Sequence, residues 1–128
     1  MQISAVSLLV PDYDAAIAFY VGKMGFDLLS DLDQGGGKRW VTVAPKGGQS
    51  ALLLARAVDA VQSAAIGNQT GGRVFLFLAS DDFSTDHARM QAAGVEFLET
   101  PRHEPYGTVA VFRDPFGNKW DLLQRTGQ

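Results

Sequence analysis

The stretch VFRDPFGNKWDL, residues 111–122, predicts two β-strands joined by a tight turn. Apolar side chains lie on both sides of Asp114-Pro115-Phe116-Gly117, which has the composition of a turn. Proline fixes φ near the value that a turn requires, and glycine supplies a positive φ without a steric cost. The stretch therefore places a hairpin between strands at 108–113 and 119–125.

The same order of elements occurs in the first half of the chain, where Pro45-Lys46-Gly47-Gly48 is the corresponding turn. Each half reads as a strand, a helix and three more strands, offset by about 70 residues. The predicted elements are 3–10, 12–24, 26–29, 39–44 and 50–56 in the first half, and 74–79, 82–93, 95–98, 108–113 and 119–125 in the second.

Helix boundaries have their own signals. An aspartate can cap each helix, Asp12 in the first half and Asp81 or Asp82 in the second. A glycine ends each helix, Gly25 and Gly94 respectively. Residues 57–72 connect the halves, with one helical turn near 58–66.

A four-stranded sheet with one covering helix buries only one of its faces. In the first strand Val6, Leu8 and Val10 are apolar and suit the covered face, whereas Ala5, Ser7 and Leu9 alternate to the other face. We therefore predict an α+β fold in which two tandem βαβββ modules form a curved, eight-stranded mixed sheet around a cavity, with the helices outside. The modules are residues 1–56 and 73–128 of a single domain.

Composition excludes several classes of function. The chain has 128 residues with 11 basic and 14 acidic side chains, and this net charge of -3 provides no basic surface for nucleic acid. It has no cysteine, which excludes disulfides, thiolate nucleophiles and cysteine-ligated metals. No apolar stretch approaches the roughly 20 residues of a membrane helix, and the first ten residues lack the features of an export signal. We therefore expect a cytoplasmic protein that binds neither nucleic acid nor membrane.

Three motifs together resemble the vicinal oxygen chelate superfamily, which includes glyoxalase I, bleomycin-resistance proteins, fosfomycin-resistance enzymes and extradiol dioxygenases. They are Asp12-Tyr13-Asp14 after the first strand, Phe19-Tyr20 before Met24-Gly25-Phe26, and the hairpin at 111–122. The resemblance covers essentially the whole chain, and the Asp-Pro-x-Gly-Asn hairpin is its most specific part.

The resemblance implies a test for metal chemistry. Metal-dependent members hold a divalent cation with His or Gln on the first strand and Glu on the last strand of each module. The corresponding positions here are Ala5, Leu52, Phe75 and Asp121, of which only Asp121 can bind a metal. We therefore expect no metal and no other cofactor.

Two residues are candidate catalytic groups, Asp121 and His103. His103 lies with Arg102, Glu104 and Tyr106 in a stretch that could provide a general base and an orienting carboxylate, whereas the alternative is that residues 102–104 form a solvated hairpin loop. Asp121 has either a raised pKa in apolar surroundings or an ion pair with Arg39 or Arg113.

The sequence leaves three classes of function open, the third of which is a scaffold or regulatory subunit with an empty pocket. The first is a metal-free protein of the bleomycin-resistance type that binds a small, largely apolar or aromatic molecule. The second is a lyase, isomerase or dioxygenase-type enzyme that uses Asp121 with His103 or has a metal site not evident in the sequence. The resemblance also implies a homodimer. The residues expected to contact the ligand are Ala5, Ser7, Arg39, Trp40, Leu52, Leu54, Phe75, Phe77, Tyr106 and Asp121, with His103 at the rim.

Overall fold

The computed structural model of the protein describes residues 1–127, which form two compact units. The first unit is Met1–Ile66, and the second begins at Gly67. The helical turn expected in the connecting segment therefore belongs to the first unit.

The first unit contains one sheet of four strands. Its elements are β1 (Ala5–Val10), α1 (Tyr13–Ile17) with a π-helical continuation (Ala18–Lys23), β2 (Asp27–Asp33), β3 (Arg39–Ala44), β4 (Ala51–Arg56) and α2 (Ala60–Ala65). The strand order is β1-β4-β3-β2, in which β1 and β4 are parallel and the other pairs are antiparallel.

The second unit contains one sheet of five strands. Its elements are β5 (Leu76–Ala79), α3 (Phe83–Ala92), β6 (Glu96–Phe97), β7 (Arg102–Glu104), β8 (Gly107–Arg113) and β9 (Lys119–Arg125). The strand order is β5-β9-β8-β6, with β5 and β9 parallel, and β7 also pairs with β8.

The predicted α+β class and the two βαβββ modules are confirmed. One element differs, because the stretch expected as a loop around His103 contains β7 and brings the strands in the described residues to nine. Residues 102–104 pair with 107–109 across Pro105-Tyr106, so the chain folds back on β8 as a tight hairpin.

The predicted helix boundaries agree with the structure. The Asp12 carboxylate accepts a hydrogen bond from the Ala15 amide at 2.7 Å, and Asp82, rather than Asp81, accepts one from the Thr85 amide at 3.2 Å. Gly25 and Gly94 follow the helical segments with φ of 76° and 89°. These local contacts fix where each helix begins and ends.

The first helical segment changes its hydrogen-bond pattern partway along. The amide of Met24 donates to the carbonyl of Phe19, five residues earlier, at 2.9 Å. This spacing defines a π-helical turn, which is wider than an α-helical turn. Phe19 and Tyr20 lie in it with their rings 4.9 Å apart, and both side chains are buried.

A buried polar network holds the hairpin between β8 and β9. Asp114 and Asn118 are each 2% exposed. One carboxylate oxygen of Asp114 accepts from the amides of Phe116 and Asn118 at 2.9 Å, and the other accepts from the Asn118 side chain at 2.8 Å. The Asn118 Oδ1 accepts from the Gly67 amide at 3.0 Å and from the Gln69 side chain at 3.1 Å. The network therefore ties the start of the second unit to its hairpin.

We predict that Asn118→Ala destabilises the protein by about 2 kcal/mol, because it removes the hydrogen bonds that the Asn118 side chain makes with the buried Asp114 carboxylate and with the Gly67 amide. Urea unfolding measures the loss. Asn68→Ala removes an exposed side chain from the same segment and should change the unfolding free energy by less than about 0.5 kcal/mol. Equal losses in the two variants would contradict a structural role for the network.

Candidate functional site

Each sheet has a core face and an opposite face, which we call the open face. In the first unit the core face carries buried side chains such as Leu8 and Val10. Ser7 pairs with Leu53, which pairs in turn with Thr42, so these three side chains share the open face with Ala5 and Trp40. Trp40 is 42% exposed. Of the expected ligand contacts, the structure thus brings Ala5, Ser7 and Trp40 to one surface.

Leu52 and Leu54 lie on the core face, in contrast to the expectation from the sequence. They pair with Val6 and Leu8 of β1, and Leu54 is 0% exposed. The loop before β4 has six residues, 45–50, whereas the loop before β9 has five, 114–118. Counting from the two turns therefore places β4 one residue out of register, and a shift of one residue exchanges the faces of a strand. Leu53 occupies the open-face position instead.

Arg39 points away from Trp40 and is engaged within its own unit. Its guanidinium donates to both carboxylate oxygens of Asp31, at 3.0 and 2.7 Å, and to Asp14 at 2.9 Å. It also lies 5.1 Å from the centre of the Tyr13 ring. The hydrogen bonds from Arg39 lower the pKa of Asp31. Arg39 therefore holds α1 against the sheet and is not a free ligand for an anion.

A pocket of about 510 Å³ lies in the first unit where β3 begins and β4 ends, beside the segment before α2, and residues from both faces of the sheet line it. Its walls combine aromatic, aliphatic and basic side chains: Tyr13, Gly36, Lys38, Arg39, Trp40, Leu53, Leu54, Ala55, Arg56, Val58 and Gln62. The sequence predicted Arg39, Trp40 and Leu54 among these residues but missed Arg56. The one signal for Arg56 is a basic residue at the end of an apolar strand.

In the second unit, Asp121 lies on the open face of the sheet between Phe77 of β5 and Val111 of β8, its paired residues. Phe77 is 65% exposed. The Oδ1 atom of Asp121 is buried and has no hydrogen-bond partner within residues 1–127. Burial raises the pKa of Asp121; the positive charge of Arg102 opposes this shift, and the negative charge of Glu99 adds to it.

The ion pair predicted for Asp121 does not form with either expected arginine. Arg39 binds Asp31 and Asp14, as described above, and Arg113 binds Glu96 at 2.7 Å. The nearby cation is Arg102, which donates to Glu99 at 2.7 Å and to Glu104 at 2.9 Å. The other Glu99 oxygen accepts from the Val111 amide at 2.8 Å.

Tyr106 and Phe75 complete the set of predicted contacts in the second unit. Tyr106 follows β7, is 49% exposed and contributes a side-chain interaction to Arg102. Phe75 is half-buried just before β5, where its amide donates to the carbonyl of Lys119 at 2.9 Å.

His103 lies on the opposite face of the sheet from Asp121. It pairs with Thr108, which pairs with Gln124, and its Nδ1 is 3.3 Å from the Thr108 hydroxyl. It lines a separate pocket of about 330 Å³ beside Phe83 and His87 of α3. The structure therefore does not bring the predicted pair of catalytic residues together.

The sequence profile of the Glyoxalase/Bleomycin resistance protein/Dioxygenase superfamily matches residues 2–122. The chain belongs to this superfamily. The match covers both units, in agreement with the βαβββ order found in each.

Individual members are similar over almost the whole chain. An uncharacterised protein of Shewanella frigidimarina is 55% identical over 121 residues, which cover 93% of this chain and 90% of the relative. The crystal structure of UcmS2 has a TM-score of 0.84 at 31% identity and covers 96% of this chain and 97% of that one. TnmS3, an antibiotic binding protein from Streptomyces sp. CB03234, has a TM-score of 0.80 at 36% identity, and the match covers 98% of this chain and 97% of TnmS3.

The side chains at the superfamily's metal-binding positions do not fit a divalent cation. The positions expected for metal ligands carry Ala5, Phe75 and Asp121, and Leu53 takes the open-face position of β4 that the sequence assigned to Leu52. One carboxylate is too few donors for such an ion. Within residues 1–127 no three His, Asp or Glu side chains are grouped so that they could hold a metal.

No helix of the described chain is long and apolar enough to cross a bilayer.

We predict that Asp121→Asn stabilises the protein at pH 7 by about 1 kcal/mol, because the Oδ1 atom of the ionised form has no hydrogen-bond partner within residues 1–127. The folded state raises the pKa of Asp121 above its ordinary value, so the folded chain binds a proton more readily at this group than the unfolded chain does. The ionised carboxylate therefore does not destabilise the fold below that value, and the destabilisation develops as the pH rises through the folded pKa. Urea unfolding between pH 4.5 and 8 measures it. Asp81→Asn, at an exposed aspartate, is the control, and a gain that does not depend on pH would contradict this account.

Proposed function

We propose that this chain binds a small, largely apolar or aromatic organic molecule and uses no metal to do so. The observation that carries the proposal is the pocket of about 510 Å³ beside Trp40 in the first unit. Its volume lies within the roughly 300–1,000 Å³ of small-molecule sites, which combine apolar walls with a few polar groups. The likeness to TnmS3, an antibiotic binding protein, supports the same class of function.

The walls of this pocket suit a planar ligand. Trp40 offers a large, rigid ring face, which gains contact area at low cost in conformational entropy. Leu53 and Val58 add aliphatic surface. An aromatic compound that lies on the indole would replace water on all of these groups at once.

The open face of the second unit would provide a further contact surface. Phe77 supplies an exposed aromatic ring beside Asp121, whose Oδ1 atom is buried and has no hydrogen-bond partner within residues 1–127. We propose the remaining expected contacts, Ala5, Ser7, Phe75 and Tyr106, as parts of the same ligand-binding surfaces.

Catalysis is a second candidate function, and the raised pKa of Asp121 favours it. A carboxyl group with a raised pKa is typical of a general acid or base. His103 lies on the other sheet face, so Asp121 would act without it. If the protein is an enzyme of this kind, Asp121→Asn abolishes turnover and leaves substrate binding nearly unchanged.

We predict that planar aromatic compounds such as anthraquinone and 1-nitronaphthalene quench tryptophan emission in a saturable manner. Trp40 is 42% exposed and Trp120 is 4% exposed, so Trp40→Leu should remove most of the quenching. Val58→Ala should weaken binding about fivefold by removing apolar contact area. Val61→Ala is the matched control, because Val61 is 81% exposed and does not line the pocket. Absence of saturable quenching for a broad panel, without any rise in Tm, would contradict the proposed function.

We also propose that the protein is a homodimer. The strand β2 ends the first sheet, so one edge of its backbone has no neighbouring strand in that sheet, and Leu28, Leu29 and Leu32 are exposed along it. An exposed apolar edge favours association with another chain. Light scattering at micromolar concentration should give twice the mass of 13.8 kDa, and a monomer mass would contradict the proposal.

A further inference from the structure

We infer that the pocket beside Trp40 selects ligands that carry an acidic group, and that Arg56 binds this group. The inference rests on the proposed function, since it concerns the chemistry of the same pocket. Arg56 is the last residue of β4, and its guanidinium lies over the Tyr13 ring, 5.4 Å from the ring centre.

The charges around the pocket favour an anion. Its lining includes Lys38, Arg39 and Arg56 but no aspartate or glutamate, although the chain as a whole has a net charge of -3. The charge of Arg39 is compensated by Asp14 and Asp31. Lys38 and Arg56 have no carboxylate within 4.0 Å in the described part of the chain, so two uncompensated cations face one pocket.

The position of Arg56 differs from that of the other arginines. Arg39, Arg102 and Arg113 each bind at least one carboxylate. Arg73 and Arg125 have no carboxylate partner within residues 1–127 either, but their side chains are exposed, whereas Arg56 is half-buried. A half-buried guanidinium has lost part of its hydration, and an ionised ligand can restore these hydrogen bonds with bidentate geometry.

The surroundings of Arg56 hold its guanidinium in place. The backbone is fixed on one side, because the Ala57 amide donates to the Val10 carbonyl at 3.0 Å. The Tyr13 ring lies beneath the guanidinium. On another side is Gly37, with a φ of 83°, where an added Cβ would lie 3.4 Å from a terminal nitrogen of Arg56. Because these contacts already restrict the Arg56 side chain, binding of a ligand costs less of its conformational entropy.

The apolar and basic parts of this lining define the ligand class. Trp40, Leu53, Ala55 and Val58 can take a flat hydrocarbon or aromatic body, and Arg56 with Lys38 can take a carboxylate or a phosphate. Both anions satisfy the same guanidinium chemistry. We therefore assign aromatic acids to this pocket in preference to neutral or cationic aromatic compounds.

Calorimetry with matched probes tests the inference. We expect 1-naphthoate or 1-naphthyl phosphate to bind at least about tenfold more tightly than 1-naphthalenemethanol, because a charge-assisted hydrogen bond is stronger than a neutral one. Comparison of the two anions distinguishes carboxylate from phosphate ligands. Arg56→Gln should reduce the affinity for the anion to that for the alcohol without changing the affinity for the alcohol. Arg73→Gln removes one exposed positive charge from the second unit and should change neither affinity.

Three further results would be decisive. If the alcohol binds wild-type protein as tightly as both anions do, the inference is wrong while the proposed function stands. If no naphthalene probe binds, the proposed function fails for this compound class and the inference fails with it. If Arg56→Gln does not fold, Arg56→Lys, which keeps the charge, takes its place. The wild type then also tests the inference, because its affinity for 1-naphthoate must fall with added salt, whereas its affinity for 1-naphthalenemethanol must not.

Discussion

The strict alternation of side chains along a β-strand, combined with the parallel pairing of the first and last strand in each unit, determines which residues can meet a ligand. In the first unit Ser7 is paired with Leu53, and in the second Phe77 is paired with Asp121. Paired residues share a face, so each pairing also decides what lies on the core face. A change of one residue in either register would bury the open-face side chains and expose the core.

Local signals allowed most of the fold to be predicted from the sequence. The capping aspartates, the terminating glycines and the two turn sequences act over a few residues, and the elements lie close to where those signals placed them. Local signals did not predict which side chains of β4 lie on the open face of the sheet. This orientation depends on the length of the loop 45–50, which is one residue longer than its counterpart, and this length matters only once β4 lies between β1 and β3.

Predicting the charged residues of the site was harder still, because ion pairs join distant parts of the chain. Arg39 contacts Asp14, which is 25 positions away, and Arg113 contacts Glu96, which is 17 positions away. From the sequence alone Arg39, Arg56 and Arg113 are equivalent in kind. Only the three-dimensional arrangement shows that two of them already have carboxylate partners and that Arg56 has none in the part of the chain that the structure describes.

The π-helical turn at Ala18–Lys23 accounts for a difference in length between the two halves. The capping residues Asp12 and Asp82 are 70 positions apart, but the terminating residues Gly25 and Gly94 are 69 positions apart. The first helical segment thus contains one more residue than the second, and the wider turn takes it up without moving either end. An alignment of the two halves should therefore place its gap inside this helix rather than in a neighbouring loop. The insertion is of a kind that helices rarely accept, since one extra residue in an α-helix would rotate every later side chain by about 100°.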